Sequence, residues 1–389
     1  MRTGISLSLS AIALLFFVSS CSTTQYNVVK VNKSASPQQK QGVFYALPRT
    51  AIRVDVTVSK TEDIKGPYSE FAGKLLGLTN VVTQNGTRYE ISEVTLTSFA
   101  SPDPAQYYFV EMNNAATKDF FLALDNAGMI LGTDPSIQPD LSDAQLFSTS
   151  EQEIVYPEVF KNYSDLNLFE KVDTIIEQVK TDTVTIEKMT FKRSVVAKTI
   201  DQKARDAADF IIKIKENRFN LISGDQEVNY DKETVTYMDE QLDKLETEYR
   251  HLFTGLSFTN KIKYSYTIIP DATRPVDSVP LCRFSKMKGI LEPTAAYGDL
   301  VFLNIATQRN NEVLASYVMA KDSVDKSKQH GFYYRIPEAA DVSVIQGPRS
   351  MVTGTFLVSQ FGIINCLPAN LKKVSFYPGY GALRSTGGK

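Results

Sequence analysis

The sequence predicts an α+β fold: two β-rich parts with an antiparallel helical hairpin inserted between them. Three observations lead there. Before residue 199, apolar and polar residues alternate with the period of a strand. Between 199 and 255 the apolar spacing changes to steps of three and four, the period of a helix. From residue 256 onward the alternation returns. The layout that follows is a targeting segment at 1–20, a tether at 21–42, a β-rich part at 43–198, the hairpin at 199–255 and a second β-rich part at 256–389.

In the first β-rich part, Ile52, Val54, Val56 and Val58 alternate with Arg53, Asp55 and Thr57, which puts the aliphatic set on one buried face. Pro67 opens a short helical pattern with Phe71, Leu75 and Leu76 on one side. Asn85-Gly86 reads as a hairpin turn, since both residues tolerate the left-handed backbone that such turns need. Strands are expected at Arg88–Phe99, Tyr107–Met112 and Phe120–Leu131, the last interrupted by the turn signal Asp125-Asn126-Ala127-Gly128. The polar, proline-bearing stretch 133–151 reads as a loop or boundary, followed by extended runs at Lys171–Val179 and Thr183–Phe191.

The hairpin is the most locally determined element. Thr199-Ile200-Asp201-Gln202 fits a capping box, in which hydroxyl and amide each satisfy an orphan N–H. Ala204, Ala207, Ala208, Ile211, Ile214 and Phe219 follow at helical steps, and Gly224 suits a left-handed stop. Met238, Leu242, Leu245, Tyr249 and Leu252 form the seam of a second helix, closed by Gly255. Beyond it, Tyr264, Tyr266 and Ile268 alternate, and strands are expected at Val301–Ile305, Val313–Val318, Phe332–Ile336, Val342–Ile345, Phe356–Ile364 and Val374–Tyr377.

One internal echo stands out. Tyr45-Ala46-Leu47-Pro48 and Tyr334-Arg335-Ile336-Pro337 both carry an aromatic strand end into a proline, after which the strand resumes. A duplicated β-unit and an ordinary strand-turn pattern both account for it.

The N-terminus gives an address. Arg2 precedes an apolar stretch from Ile5 to Val18, too short to span a bilayer, followed by Val18-Ser19-Ser20-Cys21. This resembles the bacterial lipobox, where cleavage before the Cys leaves a lipid-bearing N-terminus, so Cys21 is the expected lipidation site. The expected localisation is the outer membrane, periplasm-facing, because Ser22-Thr23-Thr24-Gln25-Tyr26 lacks the acidic residues found in surface-exported lipoproteins.

Composition excludes some activities. Forty-two Lys and Arg against 44 Asp and Glu leave a net charge of −2, against phosphate neutralisation of nucleic acid. Two His and three Cys are too few and too scattered for a Cys/His zinc site. Glu248-x-x-His251 has the spacing used in di-iron bundles but no second copy, so His251 reads as a helix C-terminal residue near free carbonyls. Ser285–Lys288 and Ser323–Lys326 match Ser-x-x-Lys without the companion motifs of penicillin-binding enzymes. No phosphate-cradling or dinucleotide fingerprint occurs, and no cofactor is expected. Asp103, held between Pro102 and Pro104, reads as a turn-capping carboxylate before it reads as a ligand group. Cys282 and Cys366 in an oxidising compartment read equally as a disulfide or as two buried thiols. Asp-Ser/Thr-aliphatic triplets at Thr174, Thr183, Ser278 and Ser323 resemble the acceptor triplet of Bacteroidetes O-glycosylation.

The helical motifs carry a family resemblance. Lys203-Ala204-Arg205-Asp206-Ala207-Ala208-Asp209-Phe210-Ile211, Arg218-Phe219, Gly224-Asp225 and Tyr249-Arg250-His251-Leu252-Phe253-Thr254-Gly255, with the two Tyr-x-x-Pro motifs and the lipobox, resemble an uncharacterised Bacteroidetes lipoprotein family, DUF4831. The resemblance implies the address and the single-module layout; it brings no activity and no catalytic residue. The expected function is therefore a non-enzymatic periplasmic binding or assembly module. It would be attached to the membrane through lipid and would engage an envelope protein or glycan. A hydrolase acting on cell-envelope polymers or glycans is the alternative.

Overall fold

Two long antiparallel strands, β2 (Gly42–Ile64) and β3 (Gly86–Met112), organise the molecule. The computed structural model describes residues 26–32, 41–112, 121–137, 160, 162–163, 168–181, 184–224, 230–324, 330–369, 371 and 373–387. The first sheet runs β1 (Tyr26–Lys30), β3, β2 and β8 (Leu256–Ile268). The second runs β10 (Gly289–Leu291), β9 (Val276–Ser285), β11 (Asp299–Thr307), β12 (Tyr333–Gln346) and β13 (Arg349–Cys366). A third joins β15 (Leu383–Gly387), β14 (Lys373–Phe376), β5 (Ile130–Gly132) and β4 (Ala123–Leu124). A two-stranded ribbon, β6 (Leu168–Thr181) with β7 (Val184–Ala197), completes the strands. The helices are a 3-10 turn at Ser69–Phe71, α1 (Ala72–Leu76), α2 (Ile200–Ser223), α3 (Lys232–Thr254) and α4 (Glu312–Val324).

This overturns the α+β arrangement expected from the sequence. Strands hold 54% of the described residues and helices 22%, in four antiparallel sheets, and no helical hairpin stands as an insert between two β-parts. The physical reason is long-range pairing: β8, from the C-terminal half, forms the edge beside β2, and β14 pairs with β5 across the whole chain. The β-rich segments on either side of α2 and α3 therefore share sheets and one set of cores.

The alternation at Ile52, Val54, Val56 and Val58 does set the buried face of β2. These four side chains meet Leu281, Phe284, Val301, Leu303, Ile305, Val342 and Val344 of the second sheet in the main core. Each such side chain contributes about 1.5–3 kcal/mol on burial. A second core, aromatic in character, gathers Tyr26, Tyr45, Tyr108, Phe332, Val374 and Phe376 where β1, β2, β12 and β14 converge. A third lies beyond the far end of β2. There the small residues Ala204, Ala207 and Ala208 of α2 let Tyr68 and Phe253 approach closely.

Helix α2 begins as its sequence indicates. The Thr199 hydroxyl accepts the Gln202 N–H at 3.3 Å, and the Gln202 side chain accepts the Thr199 N–H at 2.9 Å. Arg218 ties α2 to α3 through Asp239, Asp243 and Glu246 at 2.9, 2.7 and 3.0 Å.

Three local expectations are corrected. Residues 26–30 of the expected tether are a strand with Tyr26 and Val28 buried, because an unpaired edge of β3 is available at Tyr108–Met112. Asn85-Gly86 is no two-residue turn: β2 and β3 pair up to Asp63 and Gly86, but residues 65–85 with α1 intervene, and the Asn85 side chain accepts the Lys65 N–H at 2.6 Å. The expected strand Val313–Val318 lies in helix α4. Its N-terminal turn is held by the Glu338 carboxylate of β12, which accepts the N–H groups of Asn310 and Asn311 at 3.0 and 2.9 Å.

The internal echo has a structural counterpart. In β2 the register shifts between Ala46 and Pro48, whose partners on β3 are Tyr107 and Pro102. In β12 it shifts between Ile336 and Glu338, whose partners on β13 are Ile363 and Val358. In both hairpins a proline that cannot donate to the ladder coincides with extra partner-strand residues. The two corners also clasp each other. Asp103, in the extra segment of β3, forms an ion pair with Arg335 of β12. Gln360, in that of β13, mimics a backbone ladder on Thr50 of β2, accepting its N–H and donating to its carbonyl, both at 2.8 Å. Gly362 completes the fit: a Cβ there would stand 1.9 Å from the Ile336 carbonyl oxygen.

Candidate functional site

At the helical end, Tyr68, Asn162, Lys203, Asp206, Ala207, Phe210, Tyr249 and Leu252 line a cleft of about 330 Å³. Tyr68 is placed by its backbone: its N–H donates to the Leu252 carbonyl at 2.9 Å. The chain can come this close because residue 66 is Gly, where a Cβ would stand 2.5 Å from the same carbonyl oxygen. The walls are aromatic. Phe210 and Tyr249 pack at 4.6 Å between centroids, and Tyr68 contacts Phe253 at 5.5 Å and Tyr163 at 5.9 Å. Lys203 lies over the Tyr163 ring at 5.9 Å, and Lys198 holds Asp206 at 2.5 Å. Burial raises the Tyr68 phenol above its ordinary pKa, with Tyr163 and Asp206 adding to the effect, so the ring stays neutral and its OH remains a donor.

The Glu248-x-x-His251 motif borders this cleft. Glu248 accepts a hydrogen bond from the Asn162 amide at 3.2 Å. Burial, together with Arg250, holds the His251 pKa below its usual value against the opposing pull of Glu248, so the imidazole is neutral at pH 7. Among the described residues no group of three His, Cys, Asp or Glu side chains is placed to hold a metal ion.

A second cleft, of about 360 Å³, opens between the first and second sheets. Its rim carries the cations Arg88, Lys286 and Arg349 with one carboxylate, Glu90, over a floor that includes Tyr89, Ile91 and Phe284. Arg88 is ion-paired with Asp63, and the Tyr89 N–H donates to the Lys286 carbonyl at 2.8 Å, which fixes the two sheets against each other here.

The residues singled out in the sequence are dispersed. Cys21 and Thr183 lie outside the described residues. Cys282 and Cys366 are free thiols: Cys282 is buried in the main core opposite Val301, whereas Cys366 ends β13 beside Gly331 and Tyr333. Burial raises both thiol pKa values. Thr174 is on the ribbon opposite Phe191, on a face that also exposes Val172, Ile176 and Met189. Ser278 is on β9, its hydroxyl donating to Asn304 at 2.6 Å, and Ser323 falls near the end of α4. In Ser285–Lys288 the amine turns away, donating to the Tyr297 hydroxyl at 2.6 Å, while the Ser285 oxygen accepts the Met287 N–H at 3.2 Å. Asp103 does accept the Ala105 N–H at 2.9 Å as a turn cap, and pairs besides with Arg335. Sequence reasoning passed over Lys203, Asp206 and Tyr68. Their only advance signal was membership of the motif 203–211 and the Pro67 helical start.

These features define a mostly-β protein whose helices frame an aromatic cleft at one end. The chain belongs to the family described as Domain of unknown function (DUF4831), which matches residues 41–384. No curated protein and no solved structure matches it. No described helix is long and apolar enough to cross a membrane.

Proposed function

We propose that this chain is an envelope lipoprotein, fixed to the outer membrane through Cys21, that works as a periplasmic binding or assembly module with its aromatic cleft as the contact site. One observation supports the reading: the N-terminal strand and the aromatic cleft lie at opposite ends of β2. The N-terminal strand enters beside Tyr45 and Phe332, and the cleft at Tyr68 and Tyr249 lies beyond the opposite end of β2. About 60 Å of strand separates them, at ~3.3 Å per residue. An anchored protein so built presents the cleft away from its point of attachment.

The chemistry favours binding over hydrolysis. A hydrolase of envelope glycans needs a carboxyl held protonated as general acid. Among the described residues, Asp55, Asp134, Asp201 and Asp271 are displaced downward, each by hydrogen bonds to the charged form. Aromatic rings with a neutral phenol donor and a flanking cation suit a protein or glycan surface instead.

The test has two parts. In the native host, the parent chain should fractionate with the outer membrane and Cys21→Ser should be released from it. A photo-crosslinker at Tyr249 should give a discrete adduct that the same group at Phe44, at the opposite end, does not. Unchanged membrane association of Cys21→Ser sinks the anchor. Identical adducts from both positions sink the cleft.

A further inference from the structure

The ribbon of β6 and β7 carries two unlike faces. Its strands pair without a register shift, from Leu168 opposite Ala197 to Thr181 opposite Val184, so facing residues share a side and successive rows alternate between sides. One side gathers Leu168, Val172, Ile176, Met189, Phe191 and Val195, each between 50% and 69% exposed. The other carries Lys171, Asp173, Glu177, Lys188 and Lys192 around Ile175. The charges on the apolar side cancel. Glu170 pairs there with Arg193 at 3.7 Å, and Lys180 and Glu187 lie toward the turn, beyond the apolar rows.

A two-stranded ribbon with bare faces is marginal in water and gains stability when its apolar face is packed. Among the described strands this ribbon joins no further sheet, and its polar side chains bond within it, Lys171 to Asp173 at 3.0 Å and Gln178 to Glu187 at 3.3 Å. The six apolar side chains leave about 600 Å² accessible, at the top of the range for a patch on a monomer. Mating two such faces would remove about 1,200 Å², the area at which a specific, stable interface begins. Shape and charge both fit a second copy. Rows across the ribbon set a large residue beside a small one, Leu168 beside Ala197 and Phe191 beside Thr174. A copy turned about a two-fold axis along the ribbon lays its β7 over this β6. Each Phe191 then lies over a Thr174, and each Leu168 over an Ala197. The same turn brings Arg193 of one copy one row from Glu170 of the other, and like charges do not face each other.

We infer that this ribbon is a dimer interface: two copies of the chain mate face to face through its apolar side, as two layers about 10 Å apart. The inference is independent of the anchor and of the aromatic cleft. It bears on Thr174, because a glycan there would stand in the middle of the mated face. The acceptor role expected for Thr174 and the dimer exclude each other.

Two full-length forms with different C-terminal tags are co-expressed in the native host, with a benzophenone amino acid in place of Phe191. Irradiation should give an adduct of twice the chain's mass that carries both tags. The same group at Lys192, one residue along on the charged face, should give none. Ile176→Asp puts a charge into the face among Thr174, Gln178 and Met189, none of which can pair with it, and should cut the Phe191 adduct about tenfold. Its circular dichroism spectrum should be unchanged, because Ile176 is exposed in the single chain. Met189→Asp, directly opposite, is the second variant should the first fail to fold, with the same loss expected. A two-tag adduct undiminished in the folded variants, equal adducts from Phe191 and Lys192, or none from either overturns the inference. An adduct with one tag and a foreign mass assigns the face to a different protein, and crosslinking to lipid assigns it to the membrane. Both overturn the dimer, as does a hexose on the Thr174 peptide.

Discussion

The ion pair between Asp103 and Arg335 joins corners far apart in sequence, and removing one partner tests how they hold. The Arg335 side chain is 4% exposed and that of Asp103 14%, so water screens the pair little. Burial lowers the Arg335 pKa, and Asp103 is the main opposing influence that keeps the guanidinium charged. Among the described residues Arg335 Nε has no hydrogen-bond partner, so no spare acceptor is at hand there. In Asp103→Ala the guanidinium is left buried without its counter-charge. At an effective dielectric of about 20 and a separation of ~3 Å, the lost attraction is about 5 kcal/mol. Allowing for relaxation and water entry, a destabilisation of about 3–5 kcal/mol is expected. Asp103→Ala combined with Arg335→Met removes both charges and should recover most of that loss, giving a coupling of about 2–3 kcal/mol in the double-mutant cycle. Urea unfolding followed by far-ultraviolet circular dichroism supplies the four free energies, with a constant slope as the check on each. A loss below about 1 kcal/mol for Asp103→Ala, or additive effects, would show the pair to be solvent-screened and would refute the reasoning.

Two further outcomes are expected. Beyond any uptake at Cys21, the chain unfolded without reductant should take up two alkyl groups, at Cys282 and Cys366, while the folded protein reacts slowly there because burial raises both thiol pKa values; peptide mass spectrometry showing no uptake at these two until reductant is added would establish a bridge instead. Burial alone would raise the Asp55 pKa, but hydrogen bonds from Ser265, Arg53 and Lys263 hold it below the ordinary carboxylate value. A depressed folded pKa stabilises above the unfolded value and loses that contribution as pH falls through the folded one, so stability should decline below about pH 4. Asp55→Asn should cost about 2 kcal/mol at pH 7 and flatten this acid limb; urea midpoints with the same acid slope in variant and parent would disprove the assignment.

What could be read from the sequence follows from how local each signal is. The ends of α2 were legible because Thr199, Gln202 and Gly224 act within a few residues of themselves. The buried face of β2 was legible from its alternation. The unbroken run of β3 through Ser101-Pro102-Asp103-Pro104 was not, since its tolerance of proline depends on a bulge opposite Pro48. Nor was α4: its valines favour a strand, and the carboxylate that holds its N-terminal turn, Glu338, comes from a strand after the helix. The cleft shared this limit. Phe210 and Tyr249 lay in recognisable helices, but Tyr68 and Asn162 join them through tertiary contacts alone. The sharing of sheets by the two β-rich segments, which overturned the expected fold class, depends on pairings such as Ile52 with Ile268 that leave no local trace.

The third sheet has a consequence for synthesis. Ser375 aligns with Gly132, and the Thr133 N–H donates to the Val374 carbonyl at 2.7 Å, so an early-made stretch closes against one made much later. A growing polypeptide cannot finish that sheet until β14 and β15 have left the ribosome. Truncation shortly before Lys373 would therefore strand Ile130 and Tyr26 without their covering layer. The shortened product would be a substrate for proteases and not a smaller version of the molecule.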